Sequence, residues 1–436
     1  MLFIWCNILT NVVAASILPQ ASFQIDGLLA GDPSIMESVP NIITEQVVLH
    51  YESKNYNFLD EYFGQVYFGD YSDLEKTIRK QKTSLWASRE VTYPDKDDIT
   101  DIVSGRSDRY VSNPLSGFLS FAHLPLTNCF SGETKFDIGI VGATFDTGVS
   151  FRPGSRFGPL GIRMATKRMS SGSISPFRKN FSLFKDGKIV DCGDPPMTPI
   201  DNRIALDQLY RAERAILKTK PTTPSLSKVS RILTLGGDHT VTLSCLRAVY
   251  EKWGKVAVIH FDSHLDTIDP YQMNENVTEY AALNHGTFFH WAAKRGLISE
   301  SKNVHVGLRG YYENLNDTQR DSAIGFERIM SRDIDDIGIA GIVKRIKDRV
   351  GDSKVYITVD IDSLDPSSAP GTGTVEPGGF SSRELLTILD KLEGLEVIGA
   401  DVVEVAPPYD TNEITTMVAS EVARSLLGLM VITPVQ

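Results

Sequence analysis

Cysteine is scarce in this chain: there are four in 436 residues, and none lies beside the histidine and aspartate clusters described below. That absence argues against a structural zinc site. Positive charge is the scarcer sign, with 44 Lys and Arg against 55 Asp and Glu and a net charge of −11. The balance disfavours nucleic acid and anionic membrane surfaces as partners and favours a small cationic substrate, although solubility alone accounts for it equally well. The Gly- and Pro-rich stretch at 146–159 lacks both G-x-G-x-x-G and a Walker lysine, so a nucleotide site is set aside. Residues 17–113 carry no repeat and no recognisable chemistry. At 42% hydrophobic and 23% charged, the chain still has ample material for a core.

Long apolar runs are also few: the one at the N-terminus reads as a signal peptide, with an uncleaved anchor as the alternative. Residues 2–16 are apolar but too short to span a bilayer comfortably. The run holds no Lys or Arg, and Val13 and Ala15 suit the positions before a signal-peptidase cut near Ser16. The expectation is a signal peptide over 1–16 and entry into the secretory pathway. The product is then secreted, vacuolar or at the cell surface, with no membrane contact after cleavage. Asn180, Asn276 and Asn316 each begin an N-glycosylation triplet, which agrees with that route. Cys245 reads as a buried free thiol on a helix, while Cys129 and Cys192 are left able to pair, with nothing in the sequence to fix their distance.

Residues 17–130 read as an N-terminal extension that packs on the core, and 131–436 as one large domain. Eight predicted strands, opening at Phe136, Lys188, Arg231, Val256, Asn303, Gly325, Val355 and Val397, alternate with helices. The helices are expected over 202–218, 240–253, 285–296, 335–349, 381–392 and 412–429. Such alternation predicts an α/β fold with a mainly parallel sheet covered on both faces. In such sheets ligands gather beyond the carboxyl ends of the strands.

The chemistry concentrates at three of those ends. Val256–Asp266 reads V-A-V-I-H-F-D-S-H-L-D, a β-branched run ending in Asp262, His264 and Asp266. On an extended backbone, residues two apart share a side, so these three are expected to converge. A helix would splay them. Val355–Asp362, V-Y-I-T-V-D-I-D, ends in Asp360 and Asp362, and Arg231–His239 opens through two glycines onto His239. Two imidazoles and four carboxylates over-supply one divalent ion but suit two that share bridging carboxylates. Mixed nitrogen and oxygen donors favour manganese, zinc or iron over calcium.

The segments G-G-D-H-T at 236–240, H-F-D-S-H-L-D-T at 260–267, V-D-I-D-S-L-D-P at 359–366 and D-V-V-E-V-A-P at 401–407 resemble, in order and spacing, the signatures of the ureohydrolases. That family includes arginase and agmatinase, and the resemblance spans roughly residues 131–433. It implies a three-layer α/β/α catalytic domain around an eight-stranded sheet, with two Mn2+ ions per chain that serve guanidinium hydrolysis. Carried over residue by residue, His239, Asp262, Asp266 and Asp360 hold one ion. His264, Asp262, Asp360 and Asp362 hold the other. Glu404 matches the family's guanidinium-binding glutamate, and His285 its proton-shuttling histidine at the site mouth. Asp266 is expected to steady the tetrahedral intermediate as well. A homo-oligomer, trimer or hexamer, is also implied.

Other polar residues read as support. His260 lies behind the ligands, and Asp238 and Asp365 are placed to order them, whereas His50, His123, His290 and His305 have no partner spacing. Leu265 and Val375 depart from Thr and Pro that are common in the family, which touches the substrate wall at most. The 146–159 loop and the lead-in at 117–125 resemble agmatinase, and the segment before His285 lacks the Ser-Gly-Asn pattern of arginases. Agmatine is therefore the expected substrate, with guanidinobutyrate or another guanidino acid as the nearest rival. A single-zinc deacetylase-like amidohydrolase and a silent binder of polyamine enzymes are the readings from other classes.

Overall fold

The computed structural model describes residues 119–169, 174–178, 181–273, 277–312, 314 and 316–435. The expected signal peptide, the extension up to residue 118, His50 and the asparagines of two glycosylation triplets, Asn180 and Asn276, lie outside the described residues.

Eight strands form one sheet: β1 Ile138–Gly142, β2 Ile189–Asp191, β3 Arg231–Leu235, β4 Ala257–Phe261, β5 Asn303–Leu308, β6 Phe326–Met330, β7 Val355–Asp360 and β8 Val397–Val403. Their spatial order is β2-β1-β3-β8-β7-β4-β5-β6, and every neighbouring pair is parallel. The longer helices are α1 Gly158–Ala165, α2 Asn202–Leu217, α3 Val241–Trp253, α4 Phe288–Lys294, α5 Asp317–Ala323, α6 Asp333–Val350, α7 Ser382–Asp390 and α8 Ile414–Ile432. Ala257, Ile259 and Phe261 of β4 join the core under α6, α7 and α8, while Val258 joins the core under α2, α3 and α4. Both faces of each central strand are therefore covered, which is why these strands are apolar at successive positions. The layered α/β/α architecture and the parallel sheet are as expected.

Local chemistry sets the element ends. Ser381 and Glu384 close a capping box that starts α7, and the Asp201 side chain accepts from Arg203 and Ile204 N–H to start α2. The helix expected from His285 begins only at Phe288, because Asn284 and Thr287 tie residues 284–287 into a turn. Helix α5 was not legible in the sequence: D-T-Q-R-D-S-A carries no apolar stripe. Among the described residues α8 alone is long and apolar enough to cross a membrane, yet 72% of its apolar window is buried. It is the core helix against α1, α7 and β8.

Two features tie the first strands together. Cys129 and Cys192 form a disulfide, with Cα atoms 5.4 Å apart, that binds the segment before β1 to the end of β2. Cys245 is free and buried. At the exit of β3, a Cβ on Gly237 would sit 1.8 Å from the Phe145 carbonyl oxygen, so only glycine lets this turn pass beneath the exit of β1.

Glu213 of α2 is buried against β3, accepting from Thr234 Oγ1 at 2.7 Å and from Cys245 Sγ at 3.1 Å. Burial pushes its carboxyl up to about 7, with Asp401 adding to the shift and those two hydrogen bonds opposing it. Between the ordinary carboxylate range and that value, the native state holds a proton the unfolded chain has released. Stability therefore falls as pH rises through this window, by about 3 kcal/mol once the group is ionised. Glu213→Gln should flatten that slope. Thermal scans at pH 5 and pH 8 should show the variant matching the parent at the lower pH and exceeding it at the higher. Equal slopes would exclude this origin.

Candidate metal centre

Strands β3, β8, β7 and β4 are consecutive at the middle of the sheet, and all the predicted site residues except His285 leave from their carboxyl ends. The chain jumps from β3 over two positions to β4, and β7 and β8 later fill the gap. The crevice above that reversal is where parallel sheets place ligands.

His239 Nδ1 lies 3.0 Å from Asp262 Oδ2, 3.1 Å from Asp266 Oδ2 and 3.3 Å from Asp360 Oδ2. His264 Nδ1 lies 3.2 Å from Asp262 Oδ1 and 3.1 Å from Asp362 Oδ2. The structure thus brings all six predicted ligands into two adjoining groups with Asp262 common to both. Every one is buried except His264, whose side chain is 31% exposed.

The donor chemistry fits divalent cations. His239 Nδ1, His260 Nε2 and Asp262 Oδ2 are buried and lie close together, Asp262 Oδ2 being 3.0 Å from the first and 2.8 Å from the second, yet none makes an aligned hydrogen bond, and such atoms are costly unless something else meets them. Burial drives the Asp360 carboxyl well above its ordinary value, with the charges of Asp362 and Asp262 adding to it. Asp266 is pushed up by burial and by Asp262, and Asp262 is held well down because three imidazoles outweigh its burial. A cation between these groups relieves both the repulsion and the orphaned atoms.

One geometric expectation is corrected. Residues 262–266 do not continue the strand: β4 ends at Phe261, and Asp262 Oδ1 accepts from the His264 N–H at 2.6 Å, which bends the chain. Asp266 then takes a left-handed φ of 55°. Convergence therefore comes from a side-chain-stabilised turn, not from strand alternation. Such a turn is invisible to a period-two reading.

The predicted catalytic pair also meets. Glu404 Oε1 accepts from the His239 backbone N–H at 2.8 Å and stands 3.2 Å from His285 Nδ1. His285 Nε2 contacts Ser150 Oγ at 2.9 Å and receives the Ser150 N–H at 3.1 Å. Burial opposes a charge on His285, but Glu404, Asp266 and Asp238 outweigh it and push the ring up to about 9. The Ser150 N–H, which only donates, favours the neutral ring instead. A cation that neutralises the carboxylates would act in the same direction as Ser150.

Asp238 ties the His239 turn to the 146–159 loop, accepting from Gly148 N at 2.7 Å and Thr240 N at 2.9 Å. Asp365 touches no ligand; it accepts from Ser367 and Gly378 N–H and braces its own loop. His123 and His290 lie away from the centre, and His260 stands 2.8 Å behind Asp262 Oδ2.

Apart from His260, sequence reasoning missed a row of polar residues beneath the ligands. Thr234, Asp401, Thr358, His260, His305 and Arg328 are register partners on six successive strands, from β3 across to β6. Thr358 Oγ1 meets His239 Nε2 at 2.8 Å, and Asp401 Oδ2 accepts from Thr242 and Tyr356 at 2.9 and 2.8 Å. The only signal was a polar residue interrupting each apolar run. Thr374, which donates to Asp362 Oδ2 at 3.2 Å, and Ser150 gave no signal at all. A cavity of about 630 Å³ opens over the centre, lined by His264, Asp266, His285, Ser150, Tyr280 and Tyr311 among others.

Comparison with known proteins agrees with this geometry. A model of the arginase family matches residues 136–428. The chain belongs to that family. It is 44% identical over 347 residues to a Schizosaccharomyces pombe protein named "Putative agmatinase 1", covering 77% of this chain and 88% of that one. An agmatinase of Chromobacterium violaceum is 36% identical over 321 residues, covering 73% and 91%. Among solved structures, proclavaminate amidino hydrolase from Streptomyces clavuligerus superposes with a TM-score of 0.66 at 33% identity, covering 73% of this chain and 99% of that one. The family and the buried His and Asp groups together indicate a divalent metal site.

If repulsion among the carboxylates limits the metal-free protein, Asp360→Asn should raise its melting temperature by a few degrees. The same variant should lose the stabilisation that added Mn2+ gives the parent. Thermal scans in chelator and in excess Mn2+ read both effects, and a metal-free variant less stable than its parent would contradict the first.

Proposed function

We propose that this chain, an agmatinase-like ureohydrolase, hydrolyses agmatine with water to putrescine and urea at a centre of two Mn2+ ions. The observation that carries the reading is the meeting of His239 and His264 with four aspartates over the central strands. The identities to proteins named agmatinase support the substrate. So does the cavity wall: its described lining residues include Asp266 and Asp317 but no Lys or Arg. A substrate with a cationic tail suits such a wall better than guanidinobutyrate, whose tail is anionic.

In this reading His239, Asp262, Asp266 and Asp360 hold one ion, and His264, Asp262, Asp360 and Asp362 the other. Bound divalent cations lower the pKa of water toward neutrality and so make hydroxide available as a nucleophile. The chain's own residues do the rest. Glu404, fixed by the His239 N–H, accepts guanidinium N–H groups and orients the carbon for attack. Asp266 accepts a hydrogen bond from the attacking oxygen and stabilises the tetrahedral carbon. His285, between Glu404 and the cavity, takes up the proton released as water becomes the nucleophile and returns it from its ring nitrogen to the departing amine.

The compartment and assembly belong to the same proposal. The apolar run at 2–16, the glycosylation triplets and the Cys129–Cys192 bridge favour an oxidising, secretory destination. Phe157, just before α1, and Leu160 and Met164 on it, each about half exposed, form apolar surface that suits a contact between identical subunits.

Urea release in Mn2+ should be at least tenfold more efficient for agmatine than for 4-guanidinobutyrate or arginine. His285→Ala should lower kcat about a hundredfold while leaving Mn2+ binding intact. No urea from any of the three guanidines would remove the hydrolase reading, and a preference for 4-guanidinobutyrate would transfer it to that substrate.

A further inference from the structure

Behind the centre, away from the cavity, the polar row contains a chain of contacts that the proposed reaction does not use. His260 Nε2 lies 2.8 Å from Asp262 Oδ2, and His260 Nδ1 lies 2.6 Å from His305 Nδ1. His305 Nε2 lies 2.8 Å from Asp321 Oδ1, and Asp321 Oδ2 receives Arg328 Nη1 at 2.7 Å. Thr267 Oγ1 donates to Asp321 Oδ1 at 3.2 Å. The chain therefore runs from the aspartate shared by both ligand groups to a partly exposed arginine. Sheet register enforces its middle, since His260 and His305 are direct partners across β4 and β5.

The surroundings leave these rings no other partners. Both histidines are fully buried. Phe289 stands edge-on to His260 at 4.8 Å, Phe326 stacks on His305 at 4.0 Å, and Phe288 lies 6.4 Å from His260. In such an aromatic box each ring nitrogen must be met by its neighbour along the chain. The polarity follows from counting. Asp321, anchored by Arg328, accepts from His305 Nε2–H, and Asp262 needs a donor at His260 Nε2. One further proton lies between the two Nδ1 atoms. The contacts on either side thus favour the His260 tautomer that presents its Nε2–H toward Asp262 Oδ2, 2.8 Å away.

We propose that His305 and Asp321 are positioning residues for the metal centre: through His260 they fix the tautomer that faces Asp262 and hold its Oδ2 aimed between His239 and the rest of the group. The proposal rests on the metal-centre reading above. It gives the residues that hold the ligands, not only the ligands, a part in metal affinity.

The test uses the full-length protein, stripped of metal and titrated with Mn2+ by calorimetry. His305→Phe keeps the stacking on Phe326 but cuts the chain, and Asp321→Asn keeps an acceptor but removes the charge. His305→Phe should weaken Mn2+ binding about tenfold or more, Asp321→Asn by a smaller factor, and a His305→Gln variant should recover part of the loss. The metal-free protein supplies an independent readout. With only eight histidines in the sequence, ring-labelled samples should show a downfield proton shared by two imidazoles, lost in His305→Phe. A purely structural role would lower the melting temperature of the variants and leave Mn2+ affinity unchanged. Affinities within twofold of the parent, in folded His305→Phe or, should that variant not fold, in Asp321→Asn, would overturn the proposal. A parent that binds no Mn2+ would instead overturn the metal-centre reading.

Discussion

Four carboxylates share a space from which water is largely excluded, and that repulsion governs the design around them. Coulomb energies that are small in water grow severalfold at the lower effective dielectric of such a site. Asp262, Asp266, Asp360 and Asp362 sit together because imidazoles and backbone N–H groups oppose their charge, as a divalent metal at the site would. Asp262 shows how dense the compensation is. Its Oδ2 faces His239 and His260 while its Oδ1 takes the His264 N–H. Asp362 is similarly met by Ser263, Thr374 and His264, but Asp360 has fewer partners: its Oδ1 accepts the Asp362 N–H at 2.7 Å and its Oδ2 stands 3.3 Å from His239 Nδ1. The excess falls on Asp360, whose affinity for a proton rises most clearly.

The parallel sheet makes this crowding reproducible. Four neighbouring strands end at one level, so residues distant in sequence arrive beside one another without long loops. The residues two positions earlier on β4 and β7, His260 and Thr358, then lie directly under Asp262 and Asp360. That layer supplies hydrogen bonds where a sheet would otherwise present only apolar side chains. One face of the sheet is thus oily under α6, α7 and α8. The other carries a polar stripe between two apolar margins.

Much of this was legible beforehand. Strand–helix alternation gave the sheet, and the aspartates and histidines closing V-I-H-F-D-S-H-L-D and V-Y-I-T-V-D-I-D pointed to the centre. Glu404 and His285 came from family resemblance; their own spacing carried no message. What escaped the sequence depends on register or on turns. His305 had no partner because its partner is across the sheet, and the bend at 262–266 is made by one side chain accepting from a backbone two residues on. For the disulfide the sequence could name Cys129 and Cys192 as able to pair but could not decide it, since a separation of 63 residues says nothing about distance.

Asp266 and Glu404 both sit at left-handed φ, 55° and 59°, a region where side chains other than glycine and, to a lesser degree, asparagine and aspartate are uncommon. Each corner stores on the order of 1 kcal/mol in exchange for aiming its carboxylate inward. Heat resistance and chemistry thus pull in opposite directions at these two positions. A laboratory lineage selected for survival at high temperature alone would drift toward glycine at both corners, and would grow sturdier as it went blind to its substrate.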